Sequence, residues 1–187
     1  LKIDGEALWV RGAGGVTLPL SSISDGYRAT VALVLDLLYQ MCRFFPDFHI
    51  DYAPDGSPQA PYSGVVLIDE LELHLHPSWQ QTLGFWLKKH FPRIQFIVTT
   101  HSPFVCQAAD PGGLIRLQPD SLTRAAEPLS PEEYNRVVHD GADSAVVTSL
   151  FGLPSPYSSE TEALRERLSQ LEAKQLQGLK LTKADKT

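Results

Sequence analysis

The sequence predicts an α/β fold built around a parallel sheet, and two observations carry that prediction. Two short strand-like runs, the branched apolar Val65 to Ile68 and then Ile94 to Thr100, are separated by one helix-length stretch. Each run then ends in residues that carry chemistry: Asp69-Glu70 after the first and His101-Ser102 after the second. A strand–helix–strand order of this length is a crossover unit with its two strands parallel. Ligands in such sheets collect at the carboxyl ends of the strands. Asp69, Glu70 and His101 are therefore expected at one sheet edge.

Taken in order, residues 1–20 hold short β-type runs at Leu8-Trp9-Val10 and Val16 to Leu20. Arg11-Gly12-Ala13-Gly14-Gly15 lies between them. It lacks the Lys-Ser/Thr pair of a phosphate-binding loop and leads into a strand-like run, so it reads as a hairpin turn. Ser21 to Arg28 precedes an apolar helical pattern from Ala29 to about Phe44, expected to be largely buried. Ser24 or Asp25 caps that helix. Such an N-terminus is either an ordinary cap or an anion site. Phe45 to Ser63 reads as a surface loop, with a turn at Pro54-Asp55-Gly56.

Gly64 to Ile68 reads as a strand buried on both faces. It ends in adjacent carboxylates, which are costly unless a cation or reacting group uses them. The plain alternative is a strand that meets solvent at Asp69. Pro77 opens the next helix at its first position. Trp79, Leu83, Trp86, Leu87 and His90 share a face that reads as core, and Pro92 stops the helix. Ser102-Pro103 begins another short helix. Leu114 to Leu117 reads as a strand, followed by a turn over Gln118 to Ser121. Ser130 to Glu133 has the form of a capping box. Ser159 to Glu162 caps a charged helix with Leu164, Leu168 and Leu171 on one face, and the lysine-bearing tail is expected to be flexible.

The chain has 187 residues, 43% hydrophobic, with a net charge of -6. That length can bury one core with an appendage. The charge argues against a general nucleic-acid-coating surface. Cys42 and Cys106 lack metal-ligand spacing and suit a reduced, cytoplasmic compartment. No apolar run approaches the ~20 residues that span a membrane.

Three segments together resemble the second half of an ABC-type ATPase head, nearest the soluble RecF/SMC/OLD-like, bacterial AAA-type ATPases. Ile23-Ser24-Asp25-Gly26-Tyr27 is similar to the signature motif, although the family prefers Leu first and Gly third. Val65 to Glu70 resembles Walker B with its following glutamate, and Thr99-Thr100-His101-Ser102 resembles the switch-histidine strand. Leu73 to Gln80, with its His-Leu-His-Pro, looks like the dimer loop of this branch. Order and spacing agree across residues 17 to 105.

The resemblance implies a P-loop NTPase core, with a small N-terminal β element and a helical C-terminal appendage. It divides the chain into a head portion, 1–125, and an appendage, 126–187. It implies ATP and Mg²⁺ as cofactors. Asp69 would bind Mg²⁺, Glu70 would activate the attacking water, and His101 would contact the γ-phosphate. Ser24, Asp25 and Gly26 would form the signature contact to a nucleotide held by a second head, so that ATP joins a homodimer. DNA repair, genome maintenance or anti-phage defence is the implied setting. A nuclease or other effector subunit is an implied partner, DNA or RNA is left open, and no membrane is implied. No Gly-x-x-x-x-Gly-Lys-Ser/Thr and no glutamine loop occur in these residues. The chain alone is therefore expected to bind ATP poorly and not to turn it over, an N-terminal half being absent from it. Two competitors remain. One is a metal-dependent hydrolase using Asp69, Glu70, His74, His76 and His101, and the other is a non-catalytic interaction module.

Overall fold

The computed structural model describes residues 2–4, 7–12, 14–117 and 126–176. Leu1–Gly113 and Leu114–Thr187 are two compact units. The chain mixes helices and strands throughout, an α/β protein as predicted.

The first unit opens with an antiparallel sheet of β1 (Lys2–Asp4), β2 (Ala7–Arg11) and β3 (Thr17–Pro19) in that order. Gly12 and Gly15 close the hairpin turn between β2 and β3. Gly12 N–H donates to Val16 O at 2.9 Å and Gly15 N–H to Gly12 O at 3.0 Å. Gly15 takes φ 78°, a conformation glycine adopts without strain.

Helix α1 (Asp25–Phe44) starts four residues before the predicted Ala29. Asp25 suits the positive end of the helix dipole, Arg28 pairs with it, and Tyr27 packs edge-on against Trp79 at 4.7 Å, so the first turn holds ahead of the apolar pattern. The helix is less buried than expected: only Gly26, Leu37 and Met41 are buried, while Tyr27, Leu35, Tyr39 and Phe44 are exposed. Its apolar residues run nearly all round, but the described residues cover only one side.

The expected surface loop carries a short hairpin, β4 (Asp51–Tyr52) with β5 (Pro58–Gln59), around the predicted Pro54–Gly56 turn. Tyr62 stacks on Phe45 at 4.3 Å and on Phe48 at 5.4 Å, which pins the segment to the core.

β6 (Gly64–Ile68) and β7 (Ile94–Val98) pair in parallel, from Gly64↔Ile94 to Ile68↔Val98. They are joined through α2 (Pro77–His90), and α3 (Pro103–Cys106) follows β7. Leu83 and Leu87 of α2 are buried with Leu37, Met41, Leu71, Leu75, Phe91 and Val105. Val66, Ile68, Ile94, Phe96 and Val98 pack against this cluster from one sheet face. The last carbonyls of α2 are satisfied from the preceding hairpin: Ala60 N–H donates to His90 O at 2.8 Å and Gln59 Nε2 to Lys89 O at 3.0 Å. The prediction that β6 is buried on both faces is corrected. Val65 is 60% exposed, Leu67 74% and Ile97 51%, because no second layer among the described residues covers that face.

In the second unit, β8 (Ile115–Arg116) pairs antiparallel with β9 (Glu127–Pro128). α4 (Pro131–Asn135) is capped as predicted, with Glu133 N–H donating to Ser130 Oγ at 3.3 Å. It continues as a wider turn over Arg136–Asp140, then α5 (Ala142–Val146) and α6 (Ser159–Leu176). The cap of α6 is Ser158, one residue earlier than predicted, its Oγ accepting from Thr161 N–H at 3.3 Å. The predicted turn at 118–121 and the lysine-bearing tail lie outside the described residues. Among the described residues no helix is long and apolar enough to cross a membrane.

Candidate functional site

The carboxyl ends of β6 and β7 are stitched together by side chains. Beyond β6 the backbone turns sharply at Glu70, whose φ of 48° is left-handed. For a residue with a Cβ this costs about 1–2 kcal/mol, so the surroundings must hold it. Glu70 N–H donates to Thr99 Oγ1 at 2.8 Å, and its carbonyl accepts from Leu73 N–H at 2.9 Å. A second turn follows, closed by Leu75 N–H to Glu72 O at 2.9 Å, with His74 also left-handed at φ 62°. The two turns bury Leu71 and Leu75 and leave Asp69, Glu70 and His74 exposed.

Thr99 holds the acid pair from the β7 side. Its hydroxyl donates to Asp69 Oδ1 while accepting from Glu70 N–H. One residue on, Thr100 Oγ1 donates to Glu72 Oε2 at 2.5 Å and His101 N–H donates to Glu72 Oε1 at 2.5 Å. Thr100 Oγ1 also accepts from Ser102 N–H at 3.0 Å, and Ser102 Oγ donates to Gln80 Oε1 at 2.6 Å. Gln80 Nε2 returns to Leu75 O at 2.9 Å. The network thus joins both strand ends, the turns and α2. Behind it, burial, then the charge of Glu72, pushes the Cys106 thiol up to about 12. Among the described residues the Glu70 carboxylate and the His101 ring take part in no hydrogen bond or ion pair.

The N-terminus of α1 abuts the same turns. Ser24 occupies the cap position with its hydroxyl making no cap bond. Asp25 is paired with Arg28, whose Nη1 also donates to Ser21 O at 3.3 Å. Gly26 is buried, and a Cβ there would lie 2.3 Å from His74 O. Glycine at this position therefore lets α1 close on the turn that follows β6, a use distinct from offering backbone to a ligand. A cleft of about 200 Å³ runs between α1 and the turns, lined by Thr30, Leu33, Asp69, Glu70 and His74 among others.

His76 is spent locally. It caps α2, its Nδ1 accepting from Ser78 N–H at 3.3 Å. Among the described residues no three His, Cys, Asp or Glu side chains stand together as a metal-binding group.

Residues 10–107 match the AAA_21 family profile, described as AAA domain, putative AbiEii toxin, Type IV TA system. The chain belongs to this family. It is 44% identical over 96 residues to the Retron Ec83 probable ATPase of Escherichia coli, a match covering 51% of the chain and 16% of that protein. It is 41% identical over 91 residues to the Retron Vc95 probable ATPase of Vibrio cholerae serotype O1 biovar El Tor, covering 49% and 16%. It is 38% identical over 96 residues to the Septu protein PtuA of Bacillus thuringiensis, covering 51% and 22%. The matched stretch is thus a small part of each relative's length. A solved chain from work on ATP-driven dimerization and DNA-stimulated activation of SMC ATPases aligns with TM-score 0.49 and 20% identity over 73% of each chain.

In this AAA_21 chain the donor set suits a hard cation only in part. Asp69 offers one carboxylate, with Oδ1 already engaged by Thr99, which fits the habit of Mg²⁺ of taking one or two carboxylates and completing its shell with water and phosphate. The phosphate cradle is a poorer fit, since Gly12 and Gly15 close an ordinary hairpin turn. Sequence reading assigned no task to Glu72, Thr99 or Thr100. The available signal was register: Ile68↔Val98 extends by one residue to set Asp69 beside Thr99.

Proposed function

We propose that this chain supplies the hydrolytic edge of an ATPase head. The observation that supports this best is Glu70, held in a left-handed turn with its carboxylate exposed and unpaired among the described residues, beside Asp69 and one strand from His101. Strain of this kind persists where the surroundings enforce it, and it concentrates at working sites. The family assignment and the names of the retron relatives favour ATP as the nucleotide.

In this reading Asp69 holds Mg²⁺, directly or through water. Bound Mg²⁺ neutralises charge on the phosphates. Glu70 orients and deprotonates the attacking water, and its lack of a protein partner leaves both oxygens available. His101 meets the γ-phosphate and reports its loss to the strand end. Ser24, with its hydroxyl uncommitted to the cap, reaches a nucleotide held by a second copy. Asp25 and Gly26 shape that contact, Asp25 by holding Arg28 and Gly26 by letting α1 approach His74. ATP then joins two heads and hydrolysis separates them. With no phosphate-cradling Gly-x-x-x-x-Gly-Lys-Ser/Thr among these residues, the chain alone in this reading binds ATP poorly and does not turn it over. The retron and Septu names of the relatives favour anti-phage defence over DNA repair or genome maintenance, and a nuclease or other effector subunit is the partner that the motif resemblance alone implies.

The test is Glu70→Gln in the full-length protein. Turnover should fall by about 10²- to 10⁴-fold, the usual worth of a general base, while an ATP-bound dimer accumulates. Unchanged turnover and dimer lifetime would reject the assignment.

A further inference from the structure

Glu72, which neither the motif resemblance nor the family match assigns, bonds twice across to the other strand end. One carboxylate takes two consecutive donors of the other strand end, Thr100 Oγ1 and His101 N–H, each at 2.5 Å. Its backbone carbonyl meanwhile closes the second turn through Leu75 N–H at 2.9 Å. Between Glu70 and Glu72 stands only Leu71, buried at 7% exposure. Glu72 is itself half-buried, so water competes weakly for its oxygens. The backbone at His101 therefore cannot move away from the turn bearing Glu70 without breaking a charge-assisted pair of bonds.

We infer that Glu72 is a positioning residue. It clamps the His101 end of β7 to the Glu70 turn and so fixes the spacing between water-activating and phosphate-sensing groups. Thr100 is the second half of the clamp, because its hydroxyl bridges Glu72 to Ser102 N–H. This rests on the ATPase reading above. A residue that only staples the fold would lower the melting point and the active fraction, leaving turnover per folded site intact. A positioning residue lowers kcat per folded site and spares KM.

The experiment compares Glu72→Ala, Glu72→Gln, Thr100→Val, Thr100→Ser and the control Glu70→Gln in the full-length protein. ATP turnover per folded site is read beside amide exchange of the peptide spanning residues 99–104. Glu72→Ala should lower kcat by ~10- to 100-fold with KM unchanged, the scale of a small misplacement. Its 99–104 amides should exchange about tenfold faster, as loss of a charged hydrogen bond allows. Thr100→Val should follow it, Thr100→Ser should stay near wild type, and the Glu72→Ala/Thr100→Val double variant should be no worse than Glu72→Ala. Should Glu72→Ala fail to fold, Glu72→Gln and Thr100→Val carry the same comparison. If Glu70→Gln abolishes turnover while the Glu72 and Thr100 variants keep wild-type kcat, the clamp is wrong and the site reading stands. If Glu70→Gln leaves turnover intact, the site reading falls and the catalytic meaning of the clamp falls with it.

Discussion

The two faces of the β6–β7 pair are built from the same residue types and meet opposite fates. Val66, Ile68, Ile94, Phe96 and Val98 lie against α1, α2 and the loop leucines, whereas Val65, Leu67 and Ile97 point into solvent. Strand chemistry hardly distinguishes these faces, since Val65, Leu67 and Ile97 are as apolar as the covered residues and Gln95 alone is polar. The difference lies in what packs on top. It follows that stability in the first unit is one-sided: it comes from the helix-covered face, and the polar network at the strand ends is anchored through that face by Leu71, Leu75 and Leu83.

Leu87→Ala against Leu67→Ala tests that asymmetry directly. Leu87 is 1% exposed, and truncating so buried a leucine should cost about 3 kcal/mol, a transfer loss plus a cavity. Leu67→Ala on the open face should fall within about 0.5 kcal/mol of wild type. Urea unfolding of this chain measures both. Comparable losses would mean that the open face is covered in solution, and the one-sided picture would have to go.

Gly26→Ala asks how tightly α1 sits on the covered side. The new methyl would be 2.3 Å from a backbone oxygen of His74, which cannot swing aside as a side-chain tip can. Overpacking of this kind should cost roughly 2–3 kcal/mol. Gly14→Ala is the control, since nothing lies within 4 Å of the added carbon and its unfolding midpoint should hardly move. A silent Gly26→Ala would show that α1 and the His74 turn are not in contact.

How much of this was legible beforehand follows from the range of each interaction. The β6–α2–β7 unit was readable because its signals are local: two branched runs, Pro77 at a helix start, Pro92 beyond its end. The shared edge of Asp69, Glu70 and His101 followed from the parallel order alone. The open face was not readable, because burial depends on neighbours that the strand residues do not encode. Glu72 was hidden for a similar reason. Its partners Thr100 and His101 are 28 and 29 residues away, and only the strand register brings them within reach. The left-handed turn at Glu70 had no local signal either, since a glutamate does not favour that conformation and tertiary bonds impose it. The early start of α1 was not legible because the apolar pattern begins at Ala29, while its first turn is held by an ion pair, a glycine contact and the Tyr27 ring against Trp79.

The smallest effect separates the covered and uncovered sides without altering the fold. Cys42 on α1 is exposed and Cys106 on α3 is buried. Thiolates react and thiols do not, so accessibility and pKa act in the same direction here. With the Cys106 thiol pushed up to about 12, by burial first and the Glu72 charge second, a thiol reagent at pH 8 should label one cysteine in the folded chain and two after unfolding. Raising the pH to 9 should still leave Cys106 inert in the folded chain. The sign of the linked stability change follows from the same shift. An unfolded Cys106 ionises near 9.0, well below the folded group. The protection is therefore complete below pH 9 and is lost as pH climbs from there toward 12. Rapid labelling of both thiols in folded protein at pH 8 would show that α3 opens readily, and that the network holding Ser102 at its start does not fasten it to α2.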